Sequence, residues 1–451
     1  VVLSRHRRSM YYAPVIILVT FLVVSGCALD ELPGGDDQPE EHERLSGSIS
    51  GEGEKEPDVS SPREVDLADL PDLALEPAWA RTFSNRNSLS YSLAAQGETA
   101  AVAYRQSDGI YVARAFDSNG EQLWEYTAPE RDFVSADARV LSREGREVGL
   151  ALYSAAGTGD LRILDETGTE QFSHSLAGMT DFHRSADNEV LVLLDRYSGK
   201  LLLIDAESGA ELGSRKVGER AKADFVSDTK MLLLQTEEKI SIADRSAESL
   251  WSHKLDVQLR GDVEVADAGH KIALTTVDPD NVLYVFDRSA DLLWKYLLLA
   301  GGSNDLLLRE DDARLLVYNV GAEGGVFLMD MESGEAEWIY LLRPPGEDSS
   351  IRIDSAAFDS EGALALHVVT SEMNGPQVEE KHRLVFICPE GEIEGTKVLG
   401  VNVGVDLAEE GGALIVASGD ADPETGARVL DTLTYYELNV FSSSSSTLKA
   451  E

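Results

Sequence analysis

Tyr111-Val112-Ala113-Arg114-Ala115-Phe116-Asp117-Ser118-Asn119-Gly120-Glu121-Gln122-Leu123-Trp124 is an apolar run, an aspartate, a turn with glycine and a second run carrying tryptophan. Working outward, the same unit recurs. Trp251 and Trp294 each lie seven residues after an aspartate, Asp244 and Asp287. Trp338 lies eight after Asp330, because the turn Met331-Glu332-Ser333-Gly334 is one residue longer. Asp165 and Asp205 anchor two more copies in which the tryptophan has been replaced. Cys388, followed by Pro389-Glu390-Gly391, takes the aspartate's place in a seventh. Successive anchors are 48, 40, 39, 43, 43 and 58 residues apart, the last interval being lengthened by an insertion, Ser371 to Lys381.

Each unit reads as a hairpin. The carboxylate can accept hydrogen bonds from turn amides, and glycine supplies the positive φ such turns need. Another β run precedes every anchor, such as Val190-Leu191-Val192-Leu193-Leu194, and a shorter one precedes that. Four strands in roughly 43 residues make one propeller blade. The expected fold is all-β, an eight-bladed β-propeller of four-stranded blades, with seven blades as the alternative. The final blade, in residues 401–439, has three runs and no following tryptophan. Trp79, in a strand with no aspartate before it, is expected to supply the missing outer strand and join both ends of the chain in one blade. Trp79, Trp124, Trp251, Trp294 and Trp338 are then docking residues between blades.

The pattern Asp-x-x-Gly-x-x-x-Trp at Asp117 to Trp124 resembles the tryptophan-docking motif of quinoprotein-like (PQQ-type) propellers. The resemblance spans residues 77–441 and weakens where Phe172, Gly213 and Gly395 stand in for tryptophan. Eight-bladed members include quinone-dependent dehydrogenases and the propeller lipoprotein of the outer-membrane β-barrel assembly machinery. The dehydrogenases carry an adjacent cysteine pair, which Cys388 alone does not provide, so the chain is more similar to the lipoprotein. No motif carries over its partner surface. An enzyme using the axial pocket, quinone-dependent or otherwise, remains the alternative, as does a surface ligand-binding or adhesion protein.

The ends point to the cell envelope. Residues 1–27 combine Arg5, Arg7 and Arg8 with a short apolar stretch ending in Ser25-Gly26-Cys27, which resembles a lipoprotein signal peptide with its lipobox. The resemblance implies a lipid anchor at Cys27, with outer-membrane delivery because Ala28 and Leu29 form no acidic retention signal. Residues 28–76 hold sixteen acidic and three basic residues and read as a disordered acidic tether. Residues 77–441 are the propeller, and 442–451 a flexible serine-rich tail. The whole chain carries a formal net charge of −42, which excludes nucleic acid as a partner because phosphate binding needs cationic neutralisation. Basic partners or divalent cations fit better, and saline adaptation accounts for the charge equally well. The closed ring is expected to be a monomer whose partners are envelope proteins.

Chemistry is sparse in this sequence. His174, His183, His253, His270, His367 and His382 are expected in different blades, at surfaces or strand ends. No cofactor is implied. The most pointed feature is an aspartate near the start of each blade's innermost strand: Asp137, Asp181, Asp224, Asp262, Asp305, Asp354 and Asp406. Seven carboxylates at one channel mouth would attract a hard cation or a basic peptide. Alternatively, each caps its own blade-entry turn. Two acidic loops, Asp278 to Asn281 and Gly419 to Gly426, could bind calcium but lack EF-hand spacing. The insertion Ser371 to Lys381 departs from the blade minimum and is the expected partner-specific loop.

Overall fold

The repeat closes into a ring of eight blades in the computed structural model. It describes residues 62–438 outside 84–88, 130–131, 143–144, 179, 186, 196–197, 219–220, 226–230, 237–238, 255–262, 267–270, 277–281, 288–290, 299–302, 310–313, 321–323, 347–348, 360, 375–376, 409 and 420–429. The regular elements among the described residues are all strands. Blades I to VII span 90–127, 133–176, 180–216, 222–254, 263–297, 303–343 and 350–401, each an antiparallel sheet whose strand order follows the chain. Blade VIII takes its first three strands from 404–437 and its fourth from Trp79–Thr82, with Trp79 opposite Tyr435 and Thr82 opposite Thr432. First strands of successive blades touch around the axis. Second and third strands carry the core, which runs from blade to blade in apolar clusters. One cluster joins Leu316 and Leu328 of blade VI to Ile353 and Leu366 of blade VII.

The turn chemistry behaves as the sequence dictates. Asp117 Oδ1 accepts from the amides of Asn119 and Glu121 at 3.0 and 2.7 Å, and Asp244 Oδ1 from Ser246 and Glu248 at 2.9 and 3.0 Å. Cys388 Sγ occupies the same post and accepts from Glu392 N at 3.3 Å. Hydroxyl donors at Thr167, Ser208 and Ser246 hold the Asp165, Asp205 and Asp244 carboxyls below the usual carboxylate range.

Glycine at the end of this turn has a second purpose. A Cβ on Gly120 would sit 2.6 Å from Trp79, one on Gly168 2.9 Å from Trp124, and one on Gly334 2.7 Å from Trp294. The tryptophan of one blade thus lies flat against the bare backbone of the next blade's turn. Its indole N–H donates to a turn carbonyl, Trp79 Nε1 to Ser118 O at 3.1 Å and Trp294 Nε1 to Met331 O at 3.0 Å. Phe172 fills the position against Gly209 in the same way. Where Gly213 replaces the ring, the next turn moves in directly, since a Cβ there would meet Ser246 O at 2.6 Å.

Gly395 has a different explanation, and it corrects the tether boundary at residue 76. Arg63–Asp66 forms a strand that adds in parallel to the outer edge of blade VI, Arg63 opposite Tyr340 and Asp66 opposite Arg343. Leu67 is buried between blades VI and VII. The chain then crosses blade VII, where Leu73 N donates to Thr396 O at 2.8 Å and Thr396 N to Pro71 O at 2.9 Å. Leu75 enters the cluster between blades VII and VIII. Blade VIII has no connected third-to-fourth turn, because its last two strands come from opposite ends of the domain. Pro71 to Leu73 fill the place that turn would take against Gly395. A turn at Leu67 to Asp69 links the two crossings, and the segment is held by buried leucines. Residues 1–61 and 439–451, with the lipobox, most of the tether and the tail, lie outside the described residues.

Candidate functional site

The innermost strands bring the aspartates to the axis, where the described ones are held by protein groups. Asp137 is buried; Ser90 Oγ of blade I donates to its Oδ1 at 3.2 Å, and Arg139 Nε lies 3.0 Å from Oδ2. The same guanidinium reaches Asp181 of blade III at 3.5 Å and stacks 4.7 Å over the Phe182 ring. Asp406 of blade VIII, also buried, accepts from Leu93 N of blade I at 2.8 Å. Asp354 pairs with Arg352 at 2.7 Å, and Arg352 continues to Glu380 at 2.6 Å. Asp305 is 3 % exposed. Several of these carboxylates tie one blade's first strand to the next, as a hoop around the axis. Among the described residues no group of three or more histidine, cysteine or acidic side chains is arranged to hold a metal ion. The Asp224 side chain, Asp262 and the acidic stretches 278–281 and 420–426 lie outside the described residues.

The histidine expectation needs correcting. His367 and His382 share blade VII, on its second and third strands, and both are 3 % exposed. His367 Nε2 and His382 Nδ1 are 3.0 Å apart with the rings stacked, and His382 Nε2 has no partner among the described residues. Spacing of fifteen residues hides the pair in sequence; only the lengthened hairpin aligns it. Burial, reinforced by the neighbouring imidazole, pushes His382 down to about 3. Between an unfolded value near 6.5 and that folded value, the unfolded chain binds the extra proton, so stability falls as pH falls. The contribution is neutral above about pH 6.5 and reaches about 2 kcal/mol of destabilisation at pH 5. His382→Leu is expected to flatten the loss of melting temperature between pH 7 and 5, whereas an unchanged slope would deny the pair this role.

The insertion is not a loop. It lengthens the hairpin of blade VII into strands Leu364–Asn374 and Gln377–Ile387, eleven residues each against four to seven in the other blades' second strands. Met373 and Val378 face each other near its tip, 66 % and 55 % exposed. Glu372 pairs with Lys381 at 3.2 Å beneath them.

A family model described as outer membrane protein assembly factor BamB matches residues 74–242 and 236–368. The chain belongs to this family. The matched stretch begins just before Trp79 and runs into blade VII. Among solved structures, BamB from Moraxella catarrhalis is 15 % identical over 81 % of this chain and 98 % of that one, with a TM-score of 0.49. The C-terminal WD40 domain of Sif2 is 11 % identical over 81 % and 99 %, with a TM-score of 0.56. At that identity the likeness to the Sif2 domain shows the propeller fold alone. No curated protein matches the chain.

Proposed function

We propose that this BamB-family propeller is a lipid-anchored, extracytoplasmic interaction scaffold of the bacterial envelope, serving outer-membrane protein assembly. The family match across the propeller carries this reading. Its support in the chain is the lipobox-like Ser25-Gly26-Cys27 at the anchor end. The axial carboxylates add to it, because they are engaged between blades and leave the outer surfaces and the blade VII hairpin as the places for partners. Cys27 takes the lipid and the acidic segment sets the propeller off the bilayer.

The test uses the full-length protein in its native envelope. Cross-linking and affinity capture are expected to recover outer-membrane proteins or their assembly components. Cys27→Ala is expected to move the protein from the membrane to the soluble fraction. Membrane association unchanged by that substitution, or turnover of alcohols or sugars by the purified protein with added quinone, would overturn the reading.

A further inference from the structure

The buried imidazoles of blade VII lie at the root of its lengthened hairpin, inside a charged cluster. His382 is opposite Val369 and His367 opposite Leu384, which puts both rings on the sheet face that carries Leu384 against blade VIII. Arg352 and Asp354 join the cluster from the first strand, Asp354 in an irregularity of the ladder between Ile353 and Ser355. Arg352 donates to Asp354 through Nε at 2.7 Å and Nη2 at 3.3 Å, and to Glu380 through Nη1 at 2.6 Å. Glu380, two residues before His382, is held by its backbone as well. Its N–H donates to Asn402 Oδ1 at 3.0 Å, and its carbonyl accepts from Asn402 N at 2.7 Å. Beyond Ser371 and Lys381 the second and third strands pair only with each other among the described residues. Glu380 therefore stands where the hairpin parts from the rest of its blade.

Between two neutral imidazoles the 3.0 Å contact uses one N–H, whichever ring donates it. In either arrangement His382 Nε2 is buried without a partner among the described residues. A proton added to the pair is a buried positive charge, costly unless an acceptor turns to it. The carboxylates that act on His382 are Asp354 and Glu380, and both hold Arg352. The fourth strand places Gly400 opposite His382 and Lys397 opposite Leu384, and brings no anion. Blade VIII packs Val403 and Leu407 against this face, while its Asp406 is turned to Leu93 of blade I. Glu372 and Lys381, paired with each other, lie with Arg383 at the alternate positions, on the opposite face. The closed arrangement excludes the proton, and one that opens the pair admits it.

We propose that the imidazole pair and the Arg352 cluster form an acid-released latch on the outer ends of the second and third strands of blade VII, Ser371 to Asn374 and Gln377 to Lys381. In the latched form Glu380 holds Arg352. In the released form His382 carries a proton from solvent at Nε2, and Glu380 has turned from Arg352 to the imidazolium. Met373 and Val378, exposed near the tip, move with the strand ends while the ring stays closed. Acidification raises the population of the released form, because that form alone takes up the proton readily. The device lies within one blade and goes beyond the scaffold reading, on which it does not depend.

Hydrogen exchange of the full-length protein, read by mass spectrometry and corrected for the intrinsic pH dependence of amide exchange, tests the latch. Uptake of one proton near the ordinary histidine value of about 6.5 raises the opening equilibrium about tenfold between pH 7.5 and 5.5. Protection of the amides in 371–374 and 377–381 is expected to fall by that factor, while strand Val148–Ser154 of blade II keeps its own. His382→Leu should remove the difference between the two pH values. Glu380→Gln, at a side chain only partly buried, tests the other half of the latch without disturbing the core. A neutral amide holds Arg352 more weakly, so these strand ends should exchange at least about threefold faster already at pH 7.5. Equal protection at both pH values, or a pH response retained by His382→Leu, would overturn the proposal. So would wild-type protection in Glu380→Gln, or a parallel loss in Val148–Ser154, which would mean that acid loosens the whole ring.

Discussion

A chain starting at Ser84 is expected to show no cooperative unfolding transition. Deleting the preceding residues removes the fourth strand of blade VIII and with it Trp79, which lies against Gly120 on one side and stacks on Tyr435 at 5.4 Å on the other. It also removes Phe83, packed among Tyr104 and Phe116 of blade I. Losing one buried Trp or Phe costs about 3–5 kcal/mol. Leu67 and Leu75 are lost as well, at roughly 1.5–3 kcal/mol of burial each. Together these are comparable to the 5–15 kcal/mol by which a domain is typically stable. A graded version separates the two devices. Deleting residues 62–76 alone leaves Trp79–Thr82 paired with blade VIII, and should lower stability by about 3–6 kcal/mol while keeping one transition. The measurement is near-ultraviolet circular dichroism against temperature and denaturant. If the Ser84 chain melts cooperatively within a few degrees of the full-length protein, the ring is not closed by its N-terminal strand.

The ease with which the closing strand can be read from sequence, and the difficulty with the strap before it, have one physical origin. Trp79 announces itself because every blade uses the same docking position, so a tryptophan without its own hairpin must belong to a blade that lacks one. The Asp-x-x-Gly turn is legible for a similar reason: carboxylate, amides and glycine all lie within four or five residues of each other. The strap has no such local signature. Its acidic residues are exposed, which makes its composition look disordered, while Leu67 and Leu75 are buried against strands about 250 to 350 residues further along. Gly395 was the available signal, a missing ring in a blade otherwise complete. The histidine pair stays hidden for the opposite reason. Fifteen residues normally separate different strands of unlike environment, and only a hairpin of unusual length aligns two imidazoles on one face. As for the axial carboxylates, sequence places them on the first strands but gives no register between blades. The bonds from Ser90 to Asp137 and from Arg139 to Asp181 depend on that register.

Gly395→Trp restores the family motif and should nevertheless destabilise the protein by about 3 kcal/mol or more. A Cβ at this position would already lie 2.7 Å from Pro71 O and 2.9 Å from Leu73 Cγ. An indole has no room unless the strap leaves. Its departure breaks the paired backbone bonds between Thr396 and the Pro71 to Leu73 stretch and uncovers Leu75, which is only 8 % exposed. Phe172→Trp restores the motif equally and makes the informative contrast. Phe172 already lies against a bare glycine, with Gly209 having no Cβ to obstruct the larger ring. That change is expected to alter stability by less than about 1.5 kcal/mol. The two substitutions bring the sequence equally close to the repeat consensus, so a consensus argument predicts the same effect for both. Chemical denaturation of the pair distinguishes the readings. Stabilisation by Gly395→Trp would mean that the strap does not occupy the site, and that Gly395 is a degraded docking position rather than one already filled by the chain's own N-terminal segment.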